Sequence, residues 1–251
     1  MRWVNYSVSG ESATKESLCE FQYQLEYKGV PDILTFWTKQ PAIFAELYNK
    51  EVEKLKKKGC LVLGHVTLNY YDELEIGTKS ENRDMMNFVK LIGNENTRLG
   101  FKPIIPNYTT MKHFYKVLDI AVKYRIKEII TGIIRFDTLE MIKKIETIVP
   151  NVMDYKLIDI ANFIEKINKL AISNCIKLTL CSHENLKKLT PNVPIAYCED
   201  VNFALNRKPD LELDFNLLKN INKLSCCGHC YPPEDWKTNI DCPYNCLYCC
   251  P

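Results

Sequence analysis

"DILTFWTKQPAIFAELYNKEVEKLKKKGCLVLGHVTLN", residues 32–69, decides the fold class. Its opening DILTFWTK (32–39) and its closing CLVLGHVTLN (60–69) are rich in β-branched and aromatic side chains, and both read as strands. Between them, PAIFAELYNKEVEKLKKKG repeats apolar residues at three- and four-residue spacing, with Pro41 near its start and Gly59 at its stop. Those are the marks of an amphipathic helix. Strand, helix, strand in one run is the repeating unit of a parallel sheet.

Working outward, the same alternation recurs. Further strands are expected at WVNYSVS (3–9), LGFKPIIP (99–106), EIITGIIR (128–135), IKLTLCS (176–182) and VPIAYC (193–198). Further helices are expected at TMKHFYKVLDIAVKYR (110–125) and LIDIANFIEKINKLAISN (157–174). The strands are nearly continuous in apolar residues, as in a sheet covered on both faces or closed on itself. The expected fold is α/β: a (β/α) TIM-like barrel over residues 1–205, incomplete or permuted, with a cysteine-rich metal-binding segment over 206–251 packed on its mouth. The polar run YYDELEIGTKSENRD (70–84) reads as a loop over that mouth.

Reactive groups in such a fold sit where strands end. Strand ends here carry Ser9, Gly10 and Glu11, then Lys39, Asn69, Arg135, Cys181 with His183, and Cys198 with Glu199 and Asp200. Each also has a plainer reading as a loop cap or solvated residue. His65 inside an apolar strand and His113 on a helix read as structural.

Composition narrows the setting. The 251 residues are 46% hydrophobic and 25% charged, as in an ordinary globular chain, and the formal charge is only +2. The one basic run, EVEKLKKKG, reads as a solvated helix face, so charge does not indicate a nucleic-acid partner. The start, MRWVNYSVSG, lacks an apolar signal core, and nowhere do 18 apolar residues run together. A cytoplasmic protein without a membrane partner is expected. In a reducing compartment its twelve cysteines are better explained as buried side chains or metal ligands than as disulfides. Cys19, Cys60 and Cys175, each isolated beside apolar residues, read as core.

Seven more cysteines crowd the last 26 residues: 226, 227, 230, 242, 246, 249 and 250. Two registers compete. Cys227-x2-Cys230 and Cys246-x2-Cys249, fifteen residues apart, have the spacing of a four-thiolate zinc site, which leaves Cys242 without a role. Cys242-x3-Cys246-x2-Cys249 instead offers three thiolates to a [4Fe–4S] cluster and leaves one iron open.

That second register, with aromatic Tyr248 before its last cysteine, resembles the signature of radical S-adenosylmethionine enzymes. The resemblance implies a [4Fe–4S] cluster, S-adenosylmethionine bound at the open iron and cleaved reductively to start radical chemistry, an electron donor, and a substrate that the motif does not name. Its position late in the chain is similar to that in a prokaryotic family related to the DNA repair photolyase and spore photoproduct lyase group. ILTFWTKQP (33–41), VTLNYYD (66–72), LCSHEN and AYCED (180–200), and CGHC with DCPYNCLYC (227–249) carry this likeness. SVSGES and FKPIIP depart from the family's pattern, which expects an Arg-rich first strand end and an Arg and Asp at the fourth.

A permuted barrel would make the tail motif the first βα loop and the chain's own first strand the second. Gly10 and Glu11 would then stand where radical S-adenosylmethionine enzymes bind the methionine amino group. Cys181, Cys198, Cys227 and Cys230 would form a second iron–sulfur or metal site, unless Cys181 and Cys198 are simply small strand-end residues. A DNA-lesion repair lyase and a non-catalytic zinc- or cluster-stabilised binding module are the competing functions.

Overall fold

The computed structural model describes residues 1–6, 12–181, 184–196, 200–211, 234–236 and 246–248. The chain divides into two compact units, one of Met1–Val66, Glu81–Thr97 and Tyr197–Asp241, the other of Thr67–Ser80, Arg98–Ala196 and Cys242–Pro251.

In the first unit, strands β1 (Trp3–Tyr6), β2 (Ile33–Thr38) and β3 (Leu61–Thr67) pair in parallel, Trp3 opposite Ile33 and Ile33 opposite Leu61. Helix α1 (Lys15–Lys28) connects β1 to β2. Thr14 caps it by accepting from the Ser17 N–H, and Gly29 ends it at φ 75°, a conformation open to glycine. Helix α2 (Pro41–Lys57) connects β2 to β3 and buries Phe44, Tyr48, Val52 and Leu55, the apolar stripe of the quoted stretch. Phe21 and Tyr48 meet Tyr6 and Phe36 in an aromatic core, with ring centroids 5.0 to 6.5 Å apart. Helix α3 (Met86–Ile92) lays Phe88 over Gly64, where a Cβ would come within 2.5 Å of the ring. The expected β-α-β unit is therefore present, with strand ends inside the expected limits.

The second unit repeats the pattern with α4 (Met111–Lys123), α5 (Leu139–Glu146), α6 (Leu157–Ser173) and α7 (Glu184–Leu189). Its strands β4 (Thr97–Ile104), β5 (Glu128–Ile133) and β6 (Lys177–Leu180) pair in parallel in that order. At their amino ends Arg98 Nε lies 3.0 Å from Glu128 Oε2, and Thr179 donates to the same carboxylate. Both charges are buried, so the pair ties three strands together on the side away from the strand ends.

The structure departs from expectation at four points. Of VPIAYC, the described residues 193–196 form one parallel bridge, Leu180 with Ile195, because Pro194 has no N–H to extend a ladder. A short strand that sequence did not suggest, β7 (Glu234–Trp236), pairs in parallel with β1, Val4 opposite Glu234 and Tyr6 opposite Trp236. Within its unit the order is thus β3-β2-β1-β7. Helix α8 (Val201–Leu205) follows Asp200, whose carboxylate caps it through the Phe203 N–H, so Asp200 is a cap. Of the cysteines read as core, Cys60 is buried, but Cys19 lies on the outer face of α1 and Cys175 sits in a left-handed turn leaving α6. Both are exposed, because isolation beside apolar residues does not tell which side of a helix a position faces.

Candidate functional site

The site is built from the second unit, beginning where β3 runs out. The Leu68 N–H donates to the Gly100 carbonyl at 2.9 Å and lays the following segment beside β4. Gly100 is needed there, since a Cβ would stand 3.1 Å from Thr67 Oγ1. Asn69 is completely buried, and its Nδ2 is 2.8 Å from the Lys102 carbonyl, 3.3 Å from Glu75 Oε1 and 3.2 Å from the Tyr248 hydroxyl. Its Oδ1 has no hydrogen bond among the described residues.

The 70–84 run is not the solvated loop its composition suggests. Tyr71, Leu74 and Glu75 are 0%, 0% and 2% exposed. Tyr71 anchors the run: its hydroxyl donates to the Pro103 carbonyl at 3.1 Å and meets Thr109 Oγ1 at 2.6 Å. Burial raises its pKa far above the ordinary phenol value, so it stays protonated and able to donate. The apolar pair Tyr71 and Leu74, three residues apart in a polar run, is the signal that could have shown this.

Against that buried segment lie the described residues of the tail. The Leu247 N–H donates to the Leu74 carbonyl at 3.0 Å. The Tyr248 hydroxyl donates to Glu75 Oε1 and accepts from Asn69, and its ring stands edge-on to Tyr71 at 6.4 Å. Cys246 and Tyr248 are both buried. Cys246 therefore sits next to two consecutive residues that are clamped, one through its backbone and one through its side chain.

A cavity of about 320 Å³ opens at the carboxy end of β4 and the start of α6. Ile105, Ile160 and Phe163 give it an apolar floor, and Thr109, Asp154 and Asp159 give it polar groups. Thr109 joins this cavity to Tyr71, and Tyr71 packs on Tyr248.

Two of the seven expected ligands, Cys181 and Cys246, fall among the described residues, both in this unit. Cys181 follows β6, half-buried, and its N–H donates to the Thr131 carbonyl at 2.7 Å. Gly132 leaves room for it, since a Cβ there would be 3.2 Å from the Cys181 carbonyl oxygen. Cys198, Cys227, Cys230, Cys242 and Cys249 lie outside the described residues, as do Gly10, Glu11, Ser9, His183 and Glu199. Among the described residues no group of three or more His, Cys, Asp or Glu side chains is arranged to hold a metal ion.

Other described candidates have local partners. Arg135 is exposed and pairs with Asp137 at 3.3 Å. His65 is buried against the Trp37 ring at 4.2 Å. His113 accepts from the Thr110 N–H to complete the cap of α4; burial, with Lys116 nearby, lowers its pKa.

The family profile described as "Domain of unknown function (DUF1848)" matches residues 8–250. No curated protein matches the chain. Among the described residues no helix is long and apolar enough to cross a membrane.

Proposed function

The chain belongs to the DUF1848 family, and from that premise we propose that it is an iron–sulfur protein of the radical S-adenosylmethionine type. The observation that carries the reading is β7. It adds to the edge of β1 in parallel, and after five intervening residues the chain reaches Cys242. In radical S-adenosylmethionine enzymes the signature follows the first strand of the barrel. A strand placed before β1, leading into the signature, is what a permuted barrel requires, and it gives β1 the second position with Gly10 and Glu11 after its end. The barrel over 1–205 and the cysteine-rich segment over 206–251 are part of the same proposal.

The residues fit the group. Cys242, Cys246 and Cys249 would hold it; three thiolates suit iron and sulfide, and buried Cys246 meets the need for a dry site. When bound, the cluster supplies an open iron for S-adenosylmethionine and the electron for its reductive cleavage. Gly10 and Glu11 offer a backbone carbonyl and a carboxylate as acceptors to the methionine amino group. The cavity beside Thr109 is the place for a substrate. Cys181, Cys198, Cys227 and Cys230 would bind the second centre and fasten the tail to the strand ends.

Anaerobic purification followed by iron and acid-labile sulfide analysis tests the reading. About four irons with matching sulfide are expected for the signature cluster, and more with a second centre. Cys242→Ala should remove the signature cluster. Stoichiometric zinc without sulfide, unchanged by Cys242→Ala, would replace this reading with the zinc-stabilised binding module.

A further inference from the structure

We infer that Glu75 is a positioning residue for the cysteine loop, acting through Tyr248. The inference rests on the iron–sulfur reading for its functional meaning, but its geometry stands apart from any metal. Glu75 is a carboxylate 2% exposed to solvent, on a segment that composition marks as a surface loop. A buried carboxylate is costly unless donors face it. Among the described residues the Tyr248 hydroxyl and, at 3.3 Å, Asn69 Nδ2 face its Oε1.

Tyr248 is in turn the residue between the last two cysteines of the signature that precedes Cys249 directly. Its hydroxyl on Glu75 and the Leu247 N–H on Leu74 fix two adjacent residues of the tail to two adjacent residues of the 70–84 run. That run cannot drift, because Asn69 is bonded to the Lys102 carbonyl and Tyr71 to the Pro103 carbonyl, both on or beside β4. Glu75 thus helps to fix the backbone next to Cys246, acting through Tyr248 and without touching the thiol itself. A phenol aimed at a buried carboxylate is directional, so the ring of Tyr248 alone would not hold the loop in the same register.

The test begins on the full-length, reduced, metal-free protein with iodoacetamide, reading each cysteine by peptide mass spectrometry. Exposed Cys19 serves as the internal reference. Cys246 should label at least about tenfold more slowly than Cys19, as expected for a thiol reached only by local opening. Tyr248→Phe and Glu75→Ala should each speed Cys246 labelling by about tenfold, the loss of one charge-assisted hydrogen bond. Glu75→Gln keeps an Oε1 acceptor for both donors and should stay within about twofold of the parent. The double variant Glu75→Ala with Tyr248→Phe should match either single one, because the two changes break one interaction.

Rapid labelling of Cys246 in the parent, no change on Tyr248→Phe, or additive effects in the double variant would each overturn the inference. In anaerobically reconstituted protein, Glu75→Ala and Tyr248→Phe should alter the electron paramagnetic resonance signature of the reduced cluster while Glu75→Gln leaves it intact. Identical spectra in all variants would deny Glu75 its positioning role. Failure of the parent to take up iron and sulfide, with the labelling pattern as expected, would instead count against the iron–sulfur reading alone.

Discussion

The two described stretches late in the chain, 234–236 and 246–248, are held by different chemistry. At β7 the attachment is a cluster of charges around a tryptophan. Lys28 Nζ and Arg2 Nε lie 2.9 and 3.7 Å from the Glu234 carboxylate, Trp236 Nε1 donates to the same carboxylate, and both cations stand within 6 Å of the indole ring. Trp236 is buried, but the charged side chains are 35 to 38% exposed. At Cys246–Tyr248 the attachment is a buried hydrogen-bonded clamp. Water competes for the first set of polar contacts and hardly reaches the second, so the apolar indole should dominate at β7 and the polar contacts should dominate at Tyr248.

The largest effect is expected from Trp236→Ala. Removing a buried indole should cost about 3–5 kcal/mol of unfolding free energy in urea. A cost under about 1 kcal/mol would mean that β7 is held by its charges, reversing the comparison. Next comes Glu75→Ala, which takes the Oε1 acceptor away from the Tyr248 hydroxyl in a buried site, while Asn69 Nδ2 keeps the Lys102 carbonyl. The expected cost is about 1–3 kcal/mol, and it should be insensitive to salt.

Glu234→Gln should be the smallest, under about 1 kcal/mol, and should vanish in about 1 M salt. Its pH dependence sharpens the contrast. Burial raises the Glu234 pKa somewhat, but hydrogen bonds from Lys28 and Trp236 and the charges of Lys28 and Arg2 outweigh it and hold the carboxyl below its ordinary value. Its contribution is therefore complete above the unfolded carboxylate pKa and is lost as pH falls through the lower folded value. Comparing urea midpoints of the parent and Glu234→Gln from neutral pH down into acid should show the two converging. Midpoints that stay apart in acid would show that the charge of Glu234 is not what matters.

Strands β1 to β6 and helices α2, α4 and α6 were legible because each carries its own signal: β-branched and aromatic runs, three- and four-residue apolar spacing, a proline at one end and a glycine at the other. The cysteine spacings were legible in the same way, since ligand spacing is a local property. Strand β7 was not. Glu-Asp-Trp in a polar run has no strand signal of its own, and it is extended because the edge of β1 offers unpaired backbone groups beside a pocket for Trp236. Nor was Glu75, an acidic residue in an acidic loop, whose burial depends on Tyr71 finding the Pro103 carbonyl and on Tyr248 arriving from more than 170 positions away. Local periodicity is written within one turn or one strand and survives reading in isolation. Which edge is completed, which carboxylate is dry and which side of a helix meets water are set by partners distant in sequence, and only the packed chain brings those together.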